Sequence, residues 1–255
     1  MHSSSLYLPR VWAGSQFAGA LLPREIRPLS LHLKLTENCQ ARCVSCDYWK
    51  TRWKDEISTE RAVALIDEMT ELGIGTLRLT GGEPLIRKDL FEVLERSEAR
   101  KLKQVILQTN GLLLKRFHEQ VNASPITHVN VSLDGMRESN DRIRGVEGYF
   151  DRAVEGIRAL RGKKVSFSVT LNGASAQELE ALAEVARGLG AEIGYNILSR
   201  NLFFLANADL VSLWPDKKHV GALESFARDT MKRPEFEVDY LRKYYSHEAD
   251  RKSVV

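Results

Sequence analysis

The sequence predicts an α/β protein whose core is a partial (β/α)6 barrel of the TIM type, with an N-terminal extension and a C-terminal helical segment. From residue 31 onward, short β-prone runs alternate with segments of helical periodicity. Parallel strands need crossover connections of this kind, and no Asn-Gly pair lies between two strand patterns as a hairpin would require. Six units are too few to close a ring that normally has eight, so we expect an open barrel. A doubly wound sheet is the alternative.

Each predicted strand is a short run rich in β-branched or aliphatic residues. The six runs are Leu31–Thr36, Thr76–Thr80, Gln104–Gln108, His128–Leu133, Val165–Leu171 and Glu192–Leu198. The segments between them carry apolar residues three or four positions apart and are predicted helices. They are Ser58–Leu72, Lys88–Arg100, Leu112–Val121, Tyr149–Arg161 and Ala176–Leu189. Ser58 is the predicted N-cap of the first helix, and Gly73 ends it.

The pattern divides the chain into an extension over residues 1–30, the barrel over 31–199 and a helical segment over 200–255. In the last segment, two amphipathic patterns flank Pro234. Its aromatic residues at helical spacing are predicted to share one helix face; they are Phe236, Tyr240, Tyr244 and Tyr245. We expect this segment to cap the open flank of the barrel, and the alternative is that it packs on the outer helices.

Composition excludes several classes of protein. The chain has 255 residues, of which 43% are hydrophobic and 28% charged, as is ordinary for a globular domain and not for a disordered or collagen-like chain. A formal net charge of +3 is too small to indicate a nucleic-acid surface. Neither a membrane-spanning run nor a secretory signal is recognisable, so a cytoplasmic location is expected.

All three cysteines, Cys39, Cys43 and Cys46, fall within eight positions directly after the first predicted strand. An odd number of crowded cysteines indicates metal ligation in a reducing compartment rather than a disulfide framework. Three thiolates can hold three irons of a cubane cluster and leave the fourth iron open to a small chelating ligand. Zinc, with His32 as a fourth ligand, and three buried free thiols are the alternatives.

Polar residues end the next four predicted strands, where parallel α/β folds carry their sites. At the end of the second strand stands Thr80-Gly81-Gly82-Glu83-Pro84. Its glycines allow the backbone to approach a ligand, Pro84 fixes the exit of the loop, and an exposed Glu83 can pair with a ligand ammonium. The later strands contribute Thr109 and Asn110, then Ser132 and Asp134 on one face, then Ser168, Thr170 and Asn172.

The spacing Cys39-x3-Cys43-x2-Cys46, followed one β–α unit later by Gly81-Gly82-Glu83-Pro84, resembles the radical S-adenosylmethionine (SAM) enzymes over roughly residues 31–200. The resemblance implies one [4Fe-4S] cluster, held by the three cysteines, whose open iron chelates SAM. It also implies an oxidoreductase or related radical-based modifying enzyme. Such an enzyme cleaves SAM reductively to methionine and a 5′-deoxyadenosyl radical, which abstracts a hydrogen from a substrate.

The resemblance places the Gly-Gly-Glu-Pro segment at the methionyl amino group of SAM, and it places Thr109 and Ser132 along the SAM pocket. The remaining predicted cofactor-binding residues are Asn110, Asp134, Ser168 and Asn172. One departure from the family concerns the aromatic residue that often precedes the third cysteine. Ser45 stands there, and Tyr48 and Trp49 follow the cysteine instead.

The motifs do not specify the substrate, for which a peptide, a sugar or another metabolite is expected. The chain is most similar to peptide- or sugar-modifying maturases without their auxiliary-cluster domain, because no further cysteine is available. The expected partners are that substrate and a reductant such as a flavodoxin or ferredoxin, with no specific nucleic acid and no membrane. A non-catalytic iron–sulfur or zinc-binding scaffold or sensor is the alternative function.

Overall fold

The computed structural model describes residues 28–50, 56–198 and 213–250. Its centre is a sheet of six strands in the order β1 to β6, with every neighbouring pair parallel. The strands are β1 (Ser30–Thr36), β2 (Thr76–Gly81), β3 (Gln104–Thr109), β4 (His128–Ser132), β5 (Lys164–Leu171) and β6 (Glu192–Ile197). Within these residues no pairing joins β1 to β6. The order never reverses, as a doubly wound sheet would require, so the open partial barrel is confirmed.

Helices connect the strands and continue beyond the sheet. They are α1 (Thr59–Glu71), α2 (Leu90–Arg96), α3 (Leu114–Ala123), α4 (Arg137–Arg144), α5 (Tyr149–Ala159), α6 (Leu179–Gly188), α7 (Lys217–Ser225) and α8 (Glu235–Asp250). Short 3₁₀ turns cover Pro84–Ile86, Glu98–Lys101 and Ala176–Glu178, and a π turn covers Phe226–Thr230. Ser58 caps α1 as predicted, because its side chain accepts a hydrogen bond from the Arg61 N–H at 3.1 Å.

Two helices differ from the prediction. The second predicted helix stops at Arg96, because Ser97 adopts an extended backbone before the chain resumes as a 3₁₀ turn. Helix α4 was not predicted from the sequence, since Ile143 is its one strongly apolar residue and periodicity is therefore absent.

The two faces of the sheet differ in chemistry. The outer face packs beneath the helices, and its fully buried residues include Leu77, Leu79, Val105, Leu107, Val129, Val131, Phe167 and Val169. The opposite face, called here the concave face, is polar and at least partly exposed over most of its area. It carries His32, Arg78, Gln108, His128, Asn130, Ser166, Ser168 and Asn196. This alternation along each strand directs the core outward and leaves the barrel interior accessible.

The C-terminal segment packs against β5 and β6. The Tyr245 hydroxyl donates to the Leu171 carbonyl at 3.1 Å and accepts from the Leu198 N–H at 3.2 Å. Tyr195, on the outer face of β6, contacts the Glu237 carboxylate. These contacts place the C-terminal segment beside β5 and β6, and the expectation that it caps the open flank of the barrel stays a prediction.

The predicted aromatic face of this segment is not uniform, since Tyr240 is 55% exposed and Tyr245 is fully buried. The side chains of Phe236 and Tyr244 lie outside the described part of the structure, as do residues 1–27 of the predicted extension and 199–212 of the connection to the helical segment. None of the helices described is long and apolar enough to cross a membrane.

Candidate active site

The three cysteines lie in the loop after β1 and line one cavity of about 240 Å³ at the carboxyl ends of β1–β4. Ser45, Tyr48 and Trp49 of the same loop also line it. The neighbouring strands and α4 contribute Thr80, Gly81, Gly82, Gln108, Thr109, Asn110, Ser132 and Arg144. Parallel folds carry their sites at this end of the sheet, and the cavity lies there as the motifs predict.

The cysteine loop is held by the end of α4. The Arg42 N–H donates to the Arg144 carbonyl at 3.0 Å, and the Val44 N–H donates to the Ile143 carbonyl at 2.9 Å. Gly145 follows with a φ of +66°, and a Cβ there would overlap the Arg42 carbonyl oxygen. Glycine is therefore required where the loop and the helix end touch.

The glycine pair after β2 makes a similar contact. Gly81 has a φ of +141°, and a Cβ on Gly81 or Gly82 would overlap the backbone of Thr36 or Asn38. The Gly82 N–H instead donates to the Thr36 carbonyl at 2.8 Å, and the Glu83 N–H donates to the Asn38 carbonyl at 2.8 Å. The sequence predicted that the backbone of this glycine pair would lie close to a ligand. In the structure that backbone lies close to Thr36 and Asn38, which lead into the cysteine loop. Both glycines also line the cavity.

Glu83 is fully buried, so the expectation of an exposed carboxylate is wrong. It accepts hydrogen bonds from the Thr109 hydroxyl at 2.8 Å, the Asn110 N–H at 2.7 Å and the Leu85 N–H at 3.0 Å. Burial raises its pKa to about 7, against the opposing effect of these bonds. The carboxylate does not line the cavity, and it joins the loop after β2 to the end of β3.

Asn110 extends this network to a cysteine. Its Nδ2 lies 3.7 Å from the Cys39 Sγ, and its Oδ1 accepts from the Gln40 Nε2 at 3.2 Å. Through Asn110, the buried Glu83 carboxylate therefore helps to position the first cysteine of the loop.

Arg144 supplies a buried positive charge beside the second cysteine. Its Nη2 lies 2.8 Å from the Asp134 Oδ2, with the two side chains 13% and 2% exposed. Its Nη1 lies 3.9 Å from the Cys43 Sγ. Burial lowers the pKa of Arg144, but the Asp134 carboxylate, together with Tyr149 and Cys43, more than offsets this and holds that pKa above its usual value. The sequence left Arg144 without a role, because its partners lie on other elements.

Asp134, predicted to bind the cofactor, does not line the cavity. Its second oxygen accepts from the Thr170 N–H at 2.7 Å, so the carboxylate is shared between Arg144 and β5. Asp134 is therefore placed to orient Arg144, while Arg144 reaches the cavity itself.

The structure thus divides the predicted cofactor-binding residues into two groups. Those that line the cavity are Gly81, Gly82, Thr109, Asn110 and Ser132, and those that do not are Glu83, Pro84, Asp134, Ser168 and Asn172. In the second group, Pro84 starts a 3₁₀ turn, and Ser168 accepts a hydrogen bond from Asn196 at 2.8 Å. Asn172 is buried and accepts from the Ala174 and Ser175 N–H groups within a turn. A role toward the cofactor stays a prediction for both groups.

The residues present fit a cluster, because all three thiols line one cavity beside the buried cation Arg144. Burial raises the pKa of Cys39 to about 11 and also raises that of Cys46, so ligation must displace protons. Across residues 28–50, 56–198 and 213–250, no three His, Cys, Asp or Glu side chains converge on one ion position.

Comparisons with known proteins agree with this geometry. A family profile described as the radical SAM superfamily matches residues 33–186. A Methanosarcina barkeri protein named Fe-coproporphyrin III synthase is 34% identical over 157 residues, which are 59% of this chain and 39% of the relative. A Methanothermobacter thermautotrophicus protein named probable GTP 3′,8-cyclase is 31% identical over 175 residues, which are 66% of this chain and 57% of that protein.

Among solved structures, Streptococcus suis SuiB bound to S-adenosylmethionine shares the fold. The TM-score is 0.65 at 14% identity, with 89% of this chain and 59% of SuiB covered. The chain therefore spans only about two fifths to three fifths of the length of these relatives.

Proposed function

The chain belongs to the radical SAM superfamily, whose members are enzymes that use a [4Fe-4S] cluster and SAM, and we propose that it cleaves SAM reductively and abstracts hydrogen from a substrate. The observation that carries this proposal is the single cavity lined by Cys39, Cys43 and Cys46 together with Thr109, Asn110 and Ser132. One electron breaks a carbon–sulfur bond of SAM to give methionine and a 5′-deoxyadenosyl radical. Uptake of a substrate hydrogen atom then yields 5′-deoxyadenosine.

The cysteines would hold the cluster, which supplies that electron when bound. The chain's own residues prepare the site in other ways. Arg144 places a positive charge beside Cys43, where it partly offsets the negative charge of that thiolate. Glu83, Thr109 and Asn110 keep the loops after β2 and β3 in contact with the cysteine loop, and we assign Glu83 to this positioning role.

For the substrate, we favour a small metabolite over a peptide. Two relatives that are 31–34% identical to this chain over the matched residues are named Fe-coproporphyrin III synthase and probable GTP 3′,8-cyclase. SuiB has also been solved with a precursor peptide, but at 15% identity that likeness supports the fold alone. The reductant is proposed to be a flavodoxin or ferredoxin.

Anaerobic reconstitution with iron and sulfide tests the proposal. The protein should bind about four irons per chain, since three cysteines and one open corner serve one cubane. With dithionite and SAM it should then release 5′-deoxyadenosine. Cys43→Ala should lose most of the iron, while Ser45→Ala, in the same loop, should keep it. Zinc without sulfide, or a loaded cluster that never cleaves SAM, would support the scaffold alternative instead.

A further inference from the structure

Three basic side chains lie in one line across the concave face, below the cysteine cavity. The register pairs His32 with Arg78, Arg78 with Ile106, and Ile106 with His128. Residues in register on neighbouring strands lie about 4.8 Å apart and point to the same face. His32, Arg78 and His128 therefore form a row, called here the basic row, that spans β1 to β4 with Ile106 in its middle.

Arg78 is the central cation of the row and has no carboxylate partner in the part of the chain that the structure describes. Arg78 is partly buried, as are two arginines that do have such partners. Arg144 pairs with Asp134, and Arg87 pairs with Asp89 at 2.6 Å. A cation withdrawn from water without a counter-ion is unfavourable, so the site favours an incoming negative charge.

The neighbouring groups reinforce that preference. Burial and then the charge of Arg78 lower the pKa of His32. The pKa of His128 is lowered by burial, by Lys164 and by Arg78, while Glu192, at the exposed start of β6, acts in the opposite direction. The imidazoles thus lie in a positive field that a bound anion would relieve.

The position of the row relates it to the proposed reaction. Arg78 and Thr80 lie on the same face of β2, two residues or about 7 Å apart, and Thr80 lines the cysteine cavity. Between row and cavity, polar groups cover the concave face: the Ser166 hydroxyl donates to the Asn130 Oδ1 at 3.0 Å, and on β1 Lys34 pairs with Glu37. A molecule of metabolite size held at Arg78 would reach the cavity with its other end.

We propose that the basic row binds an anionic group of the substrate, a phosphate or a carboxylate, and directs the rest of the substrate toward the cysteine cavity. This inference rests on the proposed function, because it takes the cavity as the reaction site. A guanidinium suits the role, since it can donate two parallel hydrogen bonds to either anion. The basic row would select substrates by their charge, and the reaction itself would take place in the cysteine cavity.

Calorimetric titration of the reconstituted protein with inorganic pyrophosphate and, separately, with succinate tests the inference. Binding of pyrophosphate alone assigns a phosphate, and binding of succinate alone assigns a carboxylate. Arg78→Gln should weaken the binding at least about tenfold, as expected for loss of a charge-assisted pair. Arg78→Lys should weaken it less, because the charge stays and the two-pronged geometry goes.

Arg158→Gln is the matched control, because it removes the same charge from an exposed position on α5. It should bind within about twofold of the unsubstituted protein. Equal losses in the two glutamine variants would overturn the inference, as would the absence of binding by both anions. Should Arg78→Gln fail to load iron, Arg78→Lys against Arg158→Lys provides the comparison, because both variants keep the charge and only the first removes the two-pronged geometry from the row.

The two proposals fail separately. If the protein binds an anion through Arg78 but never forms 5′-deoxyadenosine, the anion site is supported and the proposed reaction is contradicted. If the protein cleaves SAM but binds neither anion, the proposed reaction is supported and the anion site is contradicted.

Discussion

The carboxyl ends of β1–β4 and of β5–β6 carry similar polar residues but use them differently. Over β1–β4, Thr109 and Ser132 line a cavity together with the cysteines. Over β5–β6, Asn172 bonds within its own turn, Ser168 pairs with Asn196, and the Tyr245 hydroxyl closes the strand ends. A polar residue after a parallel strand thus indicates a site only when the protein leaves it facing open space.

The β1–β4 end also contains buried charge that the β5–β6 end lacks among the described residues. Glu83 and the Asp134–Arg144 pair are withdrawn from water and connect the cysteine loop to three other loops. The cost of burying these groups is offset by hydrogen bonds that keep the cysteines in place. The two ends should therefore respond very differently to substitution.

The largest effect is expected from Asp134→Asn. This change leaves the Arg144 charge buried without its partner, and removal of one member of a buried pair typically costs about 3–5 kcal/mol. Urea unfolding of the reduced protein at pH 7 measures it. The control is Asp151→Asn, whose ion pair with Arg137 is 57% and 65% exposed and should contribute under about 1 kcal/mol. Similar small losses in both variants would remove the distinction between buried and exposed pairs.

The second effect is a pH dependence at Glu83. Its pKa rises from 4.5 unfolded to about 7 folded, so between these values the folded protein holds a proton that the unfolded chain has released. The free energy of unfolding should therefore fall by about 2–3 kcal/mol as pH rises from about 5 to about 7. In Glu83→Gln this component should vanish from unfolding curves recorded across that range.

Glu155→Gln, at an exposed carboxyl on α5, is the control for that series and should retain the decline seen in the unsubstituted protein. A Glu83→Gln variant with an undiminished decline would show that another group titrates. That result would also contradict the place assigned to Glu83 in the buried hydrogen-bond network.

The smallest effects are expected at the β5–β6 end. Asn172→Ala removes the acceptor of two turn N–H groups and should cost about 1–3 kcal/mol. Ser168→Ala should cost under about 0.5 kcal/mol, because its partner Asn196 is exposed and can bond to water instead. Equilibrium dialysis of both variants with SAM tests the predicted cofactor roles of these two residues, and a Kd for SAM within about twofold of the unsubstituted protein would contradict them. A tenfold loss of SAM affinity in either variant would extend the site to β5.

The order of elements and the position of the cysteine cavity were predictable because each depends on local features. The Ser58 cap, the six β-prone runs and the crowding of the cysteines are visible within a few consecutive residues. The same reasoning missed α4, since its apolar content is too low for periodicity to appear, although its end holds the cysteine loop. The position of the helical segment is not a local feature, because its contacts with β5 and β6 span tens of residues.

By itself, the sequence determined the alternation of strands and helices, the three thiols after β1 and the polar residues at the strand ends. The tertiary structure alone decided which of those residues face the cavity. Glu83 turns inward because Thr109, 26 residues away, supplies a donor, and Arg144 reaches Cys43 across 101 residues. Periodicity and capping act between near neighbours, whereas the burial of a polar group depends on partners that only the folded chain brings together.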